Sequence, residues 1–323
     1  MGKRIVVLGG AGLIGTHLCR RLLADGNEVF CVDIRDAADS PLLADVRSHD
    51  AFRYVQHNIA QGFAIRCDEI YNLAAPSRLR YDRILPVETL RMNVQGTVNT
   101  LEAARNERAR VVYGSSSCVY GSRGREPSAE EHLRNTGRYM LAEAKRAAEA
   151  FHRAYRAEYG VDSRIARIFN TYGPGADLDD QRVAMKMIVA ALRNRDLTIY
   201  GSGEQTRTFC WVGDVADGLV RLMRTAPSEQ VRTVDLGSEH EISLRALAEK
   251  IIDLTASKSR IVHTQARTDD PRRRMPDLTA ARRELDWSPG TPLLEGLKRT
   301  VEYAEKELAR TARTEMSWVE VNS

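Results

Sequence analysis

The run Gly9-Gly10-Ala11-Gly12-Leu13-Ile14-Gly15 has the residue types and spacing to hold a pyrophosphate. It satisfies Gly-x-Gly-x-x-Gly counted from Gly10 and Gly-x-x-Gly-x-x-Gly counted from Gly9. Glycines there permit a tight turn and close backbone approach, and the N-terminus of a following helix stabilises the negative charge. Such a turn gains meaning from its flanks: an apolar run, Arg4–Leu8, precedes it, and a helical pattern over Leu13–Ala24 follows. Asp33 closes the second apolar run, Glu28–Asp33. A carboxylate at that place accepts hydrogen bonds from the ribose hydroxyls of NAD and repels the extra phosphate of NADP. The cofactor expected is therefore NAD, with Arg35, two residues on, as a complication.

Those residues need a scaffold of alternating strands and helices. Short β-branched runs at Arg4–Leu8, Glu28–Asp33, Glu69–Ala74, Ala109–Gly114 and Ser163–Phe169 alternate with helical patterns near Leu13–Ala24, Val87–Arg105 and Met140–Tyr159. That order predicts an α/β protein: a doubly wound parallel (Rossmann) sheet with helices on both faces. After about residue 170 the elements shorten and glycine-rich loops punctuate them, as at Tyr172-Gly173-Pro174-Gly175 and Tyr200-Gly201-Ser202-Gly203, with a further helix over Ser243–Leu254. The expected organisation is an NAD-binding domain over 1–168, a smaller C-terminal substrate-binding domain over 169–308 interleaved with it, and a loosely held polar tail over 309–323.

Composition narrows the function classes. With 43% hydrophobic and 28% charged residues the chain reads as an ordinary folded protein rather than a disordered one. The longest apolar runs are a few residues, far short of the ~20 a membrane span needs. The N-terminus lacks the pattern of a secretion signal. Five scattered cysteines without a Cys-x-x-Cys pair argue against a zinc site or a disulfide framework, and a cytoplasmic location is expected. Of 48 basic residues all but seven are Arg, yet no basic block interleaved with aromatics suggests nucleic acid. A few of those arginines are expected to bind an anionic ligand, for which forked donors are suited.

The strip Ser115-Ser116-Ser117-Cys118-Val119-Tyr120-Gly121, with the glycine turn, Leu73-Ala74-Ala75 and Asn93, resembles the extended short-chain dehydrogenase/reductase superfamily. The second half resembles the UDP-glucuronate decarboxylases most. The strips that carry this likeness are Arg167-Ile168-Phe169-Asn170-Thr171-Tyr172-Gly173-Pro174, Asp180-Gln181-Arg182-Val183, Tyr200 through Arg207, and Asp269 through Asp277. The resemblance implies oxidation of a UDP-sugar at C4 by bound NAD, loss of carbon dioxide from the resulting β-keto acid, and a homodimer. It implies cofactor contacts at Gly9, Gly12, Leu13, Ile14, Gly15, Asp33, Asn58, Ile59, Leu73, Ala75, Lys145 and Arg182. It places substrate contacts at Arg91, Tyr155, Asn170, Tyr200, Gln205, Arg207 and Arg274, the last two converging on the diphosphate.

The catalytic strip departs from the family at two places. Lys145-Arg146-Ala147-Ala148-Glu149 fits the family lysine, which lowers the pKa of a tyrosine one helical turn earlier. That earlier position holds Leu141, which can transfer no proton. The family glutamate is matched by Cys118, while Ser116 keeps the hydroxyl that holds the sugar. Three readings follow. Tyr139 and the Cys118 thiol replace the lost groups, Tyr139 only if the helix starts after it. The chain is a 4-epimerase, which needs no such glutamate. Or it binds NAD and the sugar nucleotide without turnover.

Overall fold

The structure is a computed structural model that describes residues 2–37, 40–75, 86–121, 136–265 and 275–321. Strand β1, Arg4–Leu8, carries four consecutive apolar residues, Ile5 to Leu8, each nearly inaccessible. Burial on both faces marks the centre of a parallel sheet. The other strands are β2 (Glu28–Asp33), β3 (Phe52–Gln56), β4 (Glu69–Asn72), β5 (Arg110–Ser116), β6 (Ser163–Ile168) and β7 (Arg232–Leu236). They form a seven-stranded parallel sheet in the order β3-β2-β1-β4-β5-β6-β7. The order reverses between β1 and β4, and the crevice outside their carboxyl ends is where such sheets receive ligands. The doubly wound expectation holds.

Helices cover both faces. On one lie α1 (Leu13–Ala24), α5 (Val212–Arg224) and α7 (Thr279–Leu285), joined through Leu18, Leu22, Val215, Leu219, Leu285 and Trp287. On the other lie α2 (Pro86–Glu107) and α3 (Thr136–Tyr159), with Leu101, Ala104 and Phe151 in their shared core. Thus β7, α5 and α7 bring late segments back onto the first sheet. A second apolar core gathers α4 (Val183–Leu192), α6 (Leu244–Thr255) and α8 (Leu293–Val321) around the paired strands Leu197–Tyr200 and Ile261–Thr264.

The polar stretch from 309 continues α8. The backbone of α8 stays helical to Val321. Polar residues do not end a helix when they pair along it: Arg310 bonds Glu307 at 3.0 Å, and the Thr311 hydroxyl donates to the Glu307 carbonyl.

Candidate functional site

At the end of β1 the glycine turn is held by its own geometry. Gly9 has φ +75°, and a Cβ there would lie 2.8 Å from the Ala74 backbone beyond β4. A Cβ on Gly15 would strike the Gly9 carbonyl oxygen at 2.3 Å, so only glycine lets α1 start this close to the strand. Gly12 is different: a Cβ there meets only the Gly9 oxygen, at 3.3 Å. The lack of a side chain at Gly12 leaves open the space in front of the α1 N-terminus, where the Leu13 and Ile14 amides begin the helix.

Asp33, the last residue of β2, accepts the Ala11 amide at 3.0 Å and the Arg35 amide at 3.1 Å. One carboxylate therefore pins both the glycine turn and the chain that follows it. Asn58 caps the short 3-10 turn Ile59–Gln61 by accepting the Ala60 amide, and Ile59 is buried against Gly96 of α2. Leu73 donates its amide to Leu8, and Ala75 follows it at the carboxyl end of β4. This set fits NAD: a backbone cradle for the pyrophosphate and a fixed carboxylate for the adenosine ribose.

Lys145 comes from α3. It is 4% exposed, donates to the Gly114 carbonyl at 2.8 Å and lies 4.7 Å from the centre of the Tyr113 ring. Burial lowers its pKa to about 8, against a raising influence from Cys118 and Glu149. Ser116 caps the 3-10 turn Ser117–Tyr120, accepting the Cys118 amide at 3.3 Å, and half-buried Cys118 lies within electrostatic reach of the lysine. Arg146 anchors that turn to α3 by donating to the Val119 carbonyl at 3.0 Å. Leu141 stands half-buried one turn before Lys145.

Tyr139 fares less well. The backbone of α3 is helical from Thr136, so the helix does not begin after Tyr139, as its takeover required. Tyr139 is then about 120° off the Lys145 face at ~100° per residue; its side chain lies outside the described residues.

Of the expected substrate residues, four gather beyond the carboxyl end of β6. Asn170 donates to the Thr208 carbonyl at 3.1 Å. Arg207, half-buried in the strand Thr206–Thr208, donates to the Thr206 carbonyl, and Gln205 donates to the Tyr200 carbonyl at 2.7 Å. The Thr208 hydroxyl is buried without a partner among the described residues, a polar atom that a ligand or water would satisfy. Arg274 lies outside the described residues.

Two of the expected substrate positions, Tyr155 and Arg91, lie apart from that cluster. Tyr155 is in the last turns of α3, at the edge of the sheet opposite the crevice, where its hydroxyl donates to Glu102 of α2 at 2.6 Å. A helix that leads into a parallel strand carries its late residues to the strands' amino ends, so Tyr155 packs the α2–α3 seam rather than a substrate. Arg91 is exposed on α2 and pairs with Glu88 three residues before it. Arg182, expected on the cofactor side, occupies the N-cap position of α4 and is clasped by Asp180 at 2.7 Å.

The sequence alone did not single out the charges behind the 115–121 strip. Glu149, one turn after Lys145, is buried and accepts from Ser115 at 2.8 Å, Arg153 at 3.0 Å, and Arg167 at 2.9 and 2.7 Å. Burial raises its pKa, but the Arg167 and Ser115 bonds outweigh that and hold it below the usual carboxylate range. Arg167 stacks 4.7 Å from the centre of the Tyr120 ring, and the Tyr120 hydroxyl donates to Asp235 at 2.6 Å. Asp235 also accepts the Asp277 amide, tying the strip to the segment just after 274. The i,i+4 spacing of Lys145 and Glu149 was the available signal.

A sequence model of the NAD dependent epimerase/dehydratase family matches residues 5–237. The chain is 39% identical over 317 residues to UDP-glucuronic acid decarboxylase 1 of Xenopus tropicalis, covering 97% of this chain and 75% of that one. It is 38% identical over 299 residues to UDP-glucuronic acid decarboxylase 5 of Arabidopsis thaliana, covering 91% and 87%. Among solved structures, an epimerase from Methanothermobacter thermautotrophicus aligns with a TM-score of 0.83 at 27% identity, over 96% of this chain and 95% of that one.

Proposed function

This chain belongs to the NAD dependent epimerase/dehydratase family, and from that premise we propose that it modifies UDP-glucuronate by oxidation at C4 and decarboxylation. The observation that carries the reading is the intact cofactor side: the glycine turn, Asp33 and Lys145 all stand at the carboxyl ends of β1, β2 and β5. Bound NAD supplies a hydride acceptor there. Lys145 holds the nicotinamide ribose and brings positive charge to the place where the sugar hydroxyl loses its proton. Ser116 holds that hydroxyl. Asn170, Gln205, Arg207 and Arg274 hold the nucleotide and diphosphate, Tyr200 packs beside them, and a ketone at C4 makes the C6 carboxylate that of a β-keto acid, which loses carbon dioxide.

Leu141 favours a second reading, in which both ligands bind and turnover is lost. The purified full chain given NAD and UDP-glucuronate labelled at C6 separates the cases. Labelled carbon dioxide supports decarboxylation. A 4-epimer without gas release assigns the chain to the epimerases. Binding of both ligands by calorimetry, with neither product, supports the silent reading.

Two substitutions test the ligand sites. Asp33→Ala is expected to weaken NAD by ~10–100-fold, the worth of ~1.5–3 kcal/mol of hydrogen bonds to a charged group. Part of that loss comes through the glycine turn, because Asp33 also holds the Ala11 amide. A titration in which Asp33→Ala binds NAD like the wild type refutes the ribose assignment. Arg207→Ala and Arg274→Ala should each weaken UDP by a similar ~1.5–3 kcal/mol, the range for a bond to a charged group, and barely change NAD affinity. Undiminished UDP binding in both variants removes the diphosphate assignment.

A further inference from the structure

Arg35 stands two residues past the carboxylate assigned to the adenosine ribose, and its main chain is fixed on both sides. Its amide donates to Asp33 at 3.1 Å, and its carbonyl accepts the Tyr54 hydroxyl at 2.9 Å. Only the side chain has freedom, and it is engaged: the guanidinium forks onto Asp177, with Nη1 at 3.4 Å and Nη2 at 3.1 Å from the two carboxylate oxygens. Asp177 belongs to the loop before α4. That loop is seated against the first domain, since a Cβ on Gly175 would meet Leu42 at 2.6 Å and Thr16 at 3.5 Å.

An arginine beside the β2 carboxylate is the group that accommodates the 2′-phosphate of NADP, and its fork matches a phosphate in two bonds. We propose that Asp177 is a specificity-determining residue for the dinucleotide: by occupying the Arg35 guanidinium, it withholds the partner a 2′-phosphate would need. Asp33 repels that phosphate, and Asp177 removes its counter-charge. The pair is only about a quarter exposed at each end, 27% and 29%, so solvent does not fully screen it. The inference rests on the NAD reading above.

The test compares NAD and NADP affinities of the full chain by calorimetry. Asp177→Asn keeps the side-chain size and releases Arg35. Its preference for NAD over NADP should fall about tenfold, the worth of one charge-assisted hydrogen bond. Asp177→Asn with Arg35→Ala should return to the wild-type preference, and Arg35→Ala alone should leave NADP as weak as in the wild type. A preference unmoved in Asp177→Asn while NAD still binds overturns the proposal. So does a gain that survives the loss of Arg35, or NADP binding that Arg35→Ala alone weakens. Asp177→Ser repeats the comparison if the Asn variant does not fold. Failure of the wild type to bind NAD refutes the cofactor reading instead.

Discussion

Leu141→Tyr is expected to raise the rate at which UDP-glucuronate reduces bound NAD by ~10²-fold. A positioned general base contributes typically ~10²–10⁴-fold, and the lower figure applies because Cys118 still stands where the family resemblance implies a glutamate. The tyrosine would project from the same face of α3 as Lys145, one turn before it. Each group would then favour the other's charged form: the ammonium lowers the phenol's pKa, and a phenolate raises that of Lys145 from the value near 8 that burial imposes. The gain should therefore grow with pH as the phenol ionises, and decline where the lysine loses its proton. A bell-shaped profile in the variant, absent from the wild type, is the signature to measure. An unchanged rate with both ligands bound would show that the register implied by the family resemblance is wrong at this helix. Tyr139→Phe completes the comparison: native turnover that survives it leaves Cys118, Ser116 or a water as proton acceptor.

The buried lysine also marks the pH dependence of folding. Its native pKa lies below that of an unfolded lysine, so the unfolded chain binds more protons between those values. Lys145 thus lowers stability fully below about pH 8, and the cost lessens as pH rises from there towards ~10.4, the free lysine value. Lys145→Met should flatten that rise in a series of denaturant melts between pH 7 and 10. An identical slope in wild type and variant would mean the ammonium is hydrated in solution.

The cofactor side was legible because its signals are local. A strand, three glycines at fixed spacing, a helix and an acid at the end of the next strand all sit within the first 33 residues. The proposed substrate side was legible only in part. The strips that carry Asn170, Gln205 and Arg207 lie beside one another, but Tyr155 matched a pattern whose place in space is decided by the direction of α3. Direction within a helix is a global property, and spacing alone cannot supply it. The make-up of the second apolar core, beyond its expected range and the helix over 243–254, was less legible for a related reason. Its short strands and the buried helix α4 have no strong period of their own, and they take shape by packing on α6 and α8. Glu149 and Arg167 stayed silent because their pairing joins residues eighteen positions apart, across a helix and a strand.

Arg167→Met is expected to cost ~3 kcal/mol of stability at neutral pH. Breaking a buried ion pair from one side costs ~3–5 kcal/mol, because the other charge stays behind without compensation. The low end applies because Arg153 keeps its 3.0 Å bond to Glu149. The Glu149 side chain is 3% exposed, so water cannot replace the two guanidinium bonds it loses. Its pKa, held low in the native protein by Arg167 and Ser115 against the opposing effect of burial, would rise. The sign with pH follows. In the wild type Glu149 contributes stability above the free carboxylate value, and that is lost as pH falls through its lowered native value. In the variant the stranded carboxylate takes up a proton early, so acid relieves it. The gap between the two proteins in urea melts should be widest near pH 7 and narrow at pH 4. Glu149→Leu with Arg167→Met should recover part of the loss, as apolar replacements of buried pairs do. A gap of equal size at both pH values would place the cost in the lost stacking on Tyr120 instead. Because Ser115 donates to the same carboxylate and Lys145 lies one turn before it, the stranded charge should also disturb the strip proposed to face the sugar. NAD bound by Arg167→Met should then be reduced more slowly even at temperatures where the variant is fully folded.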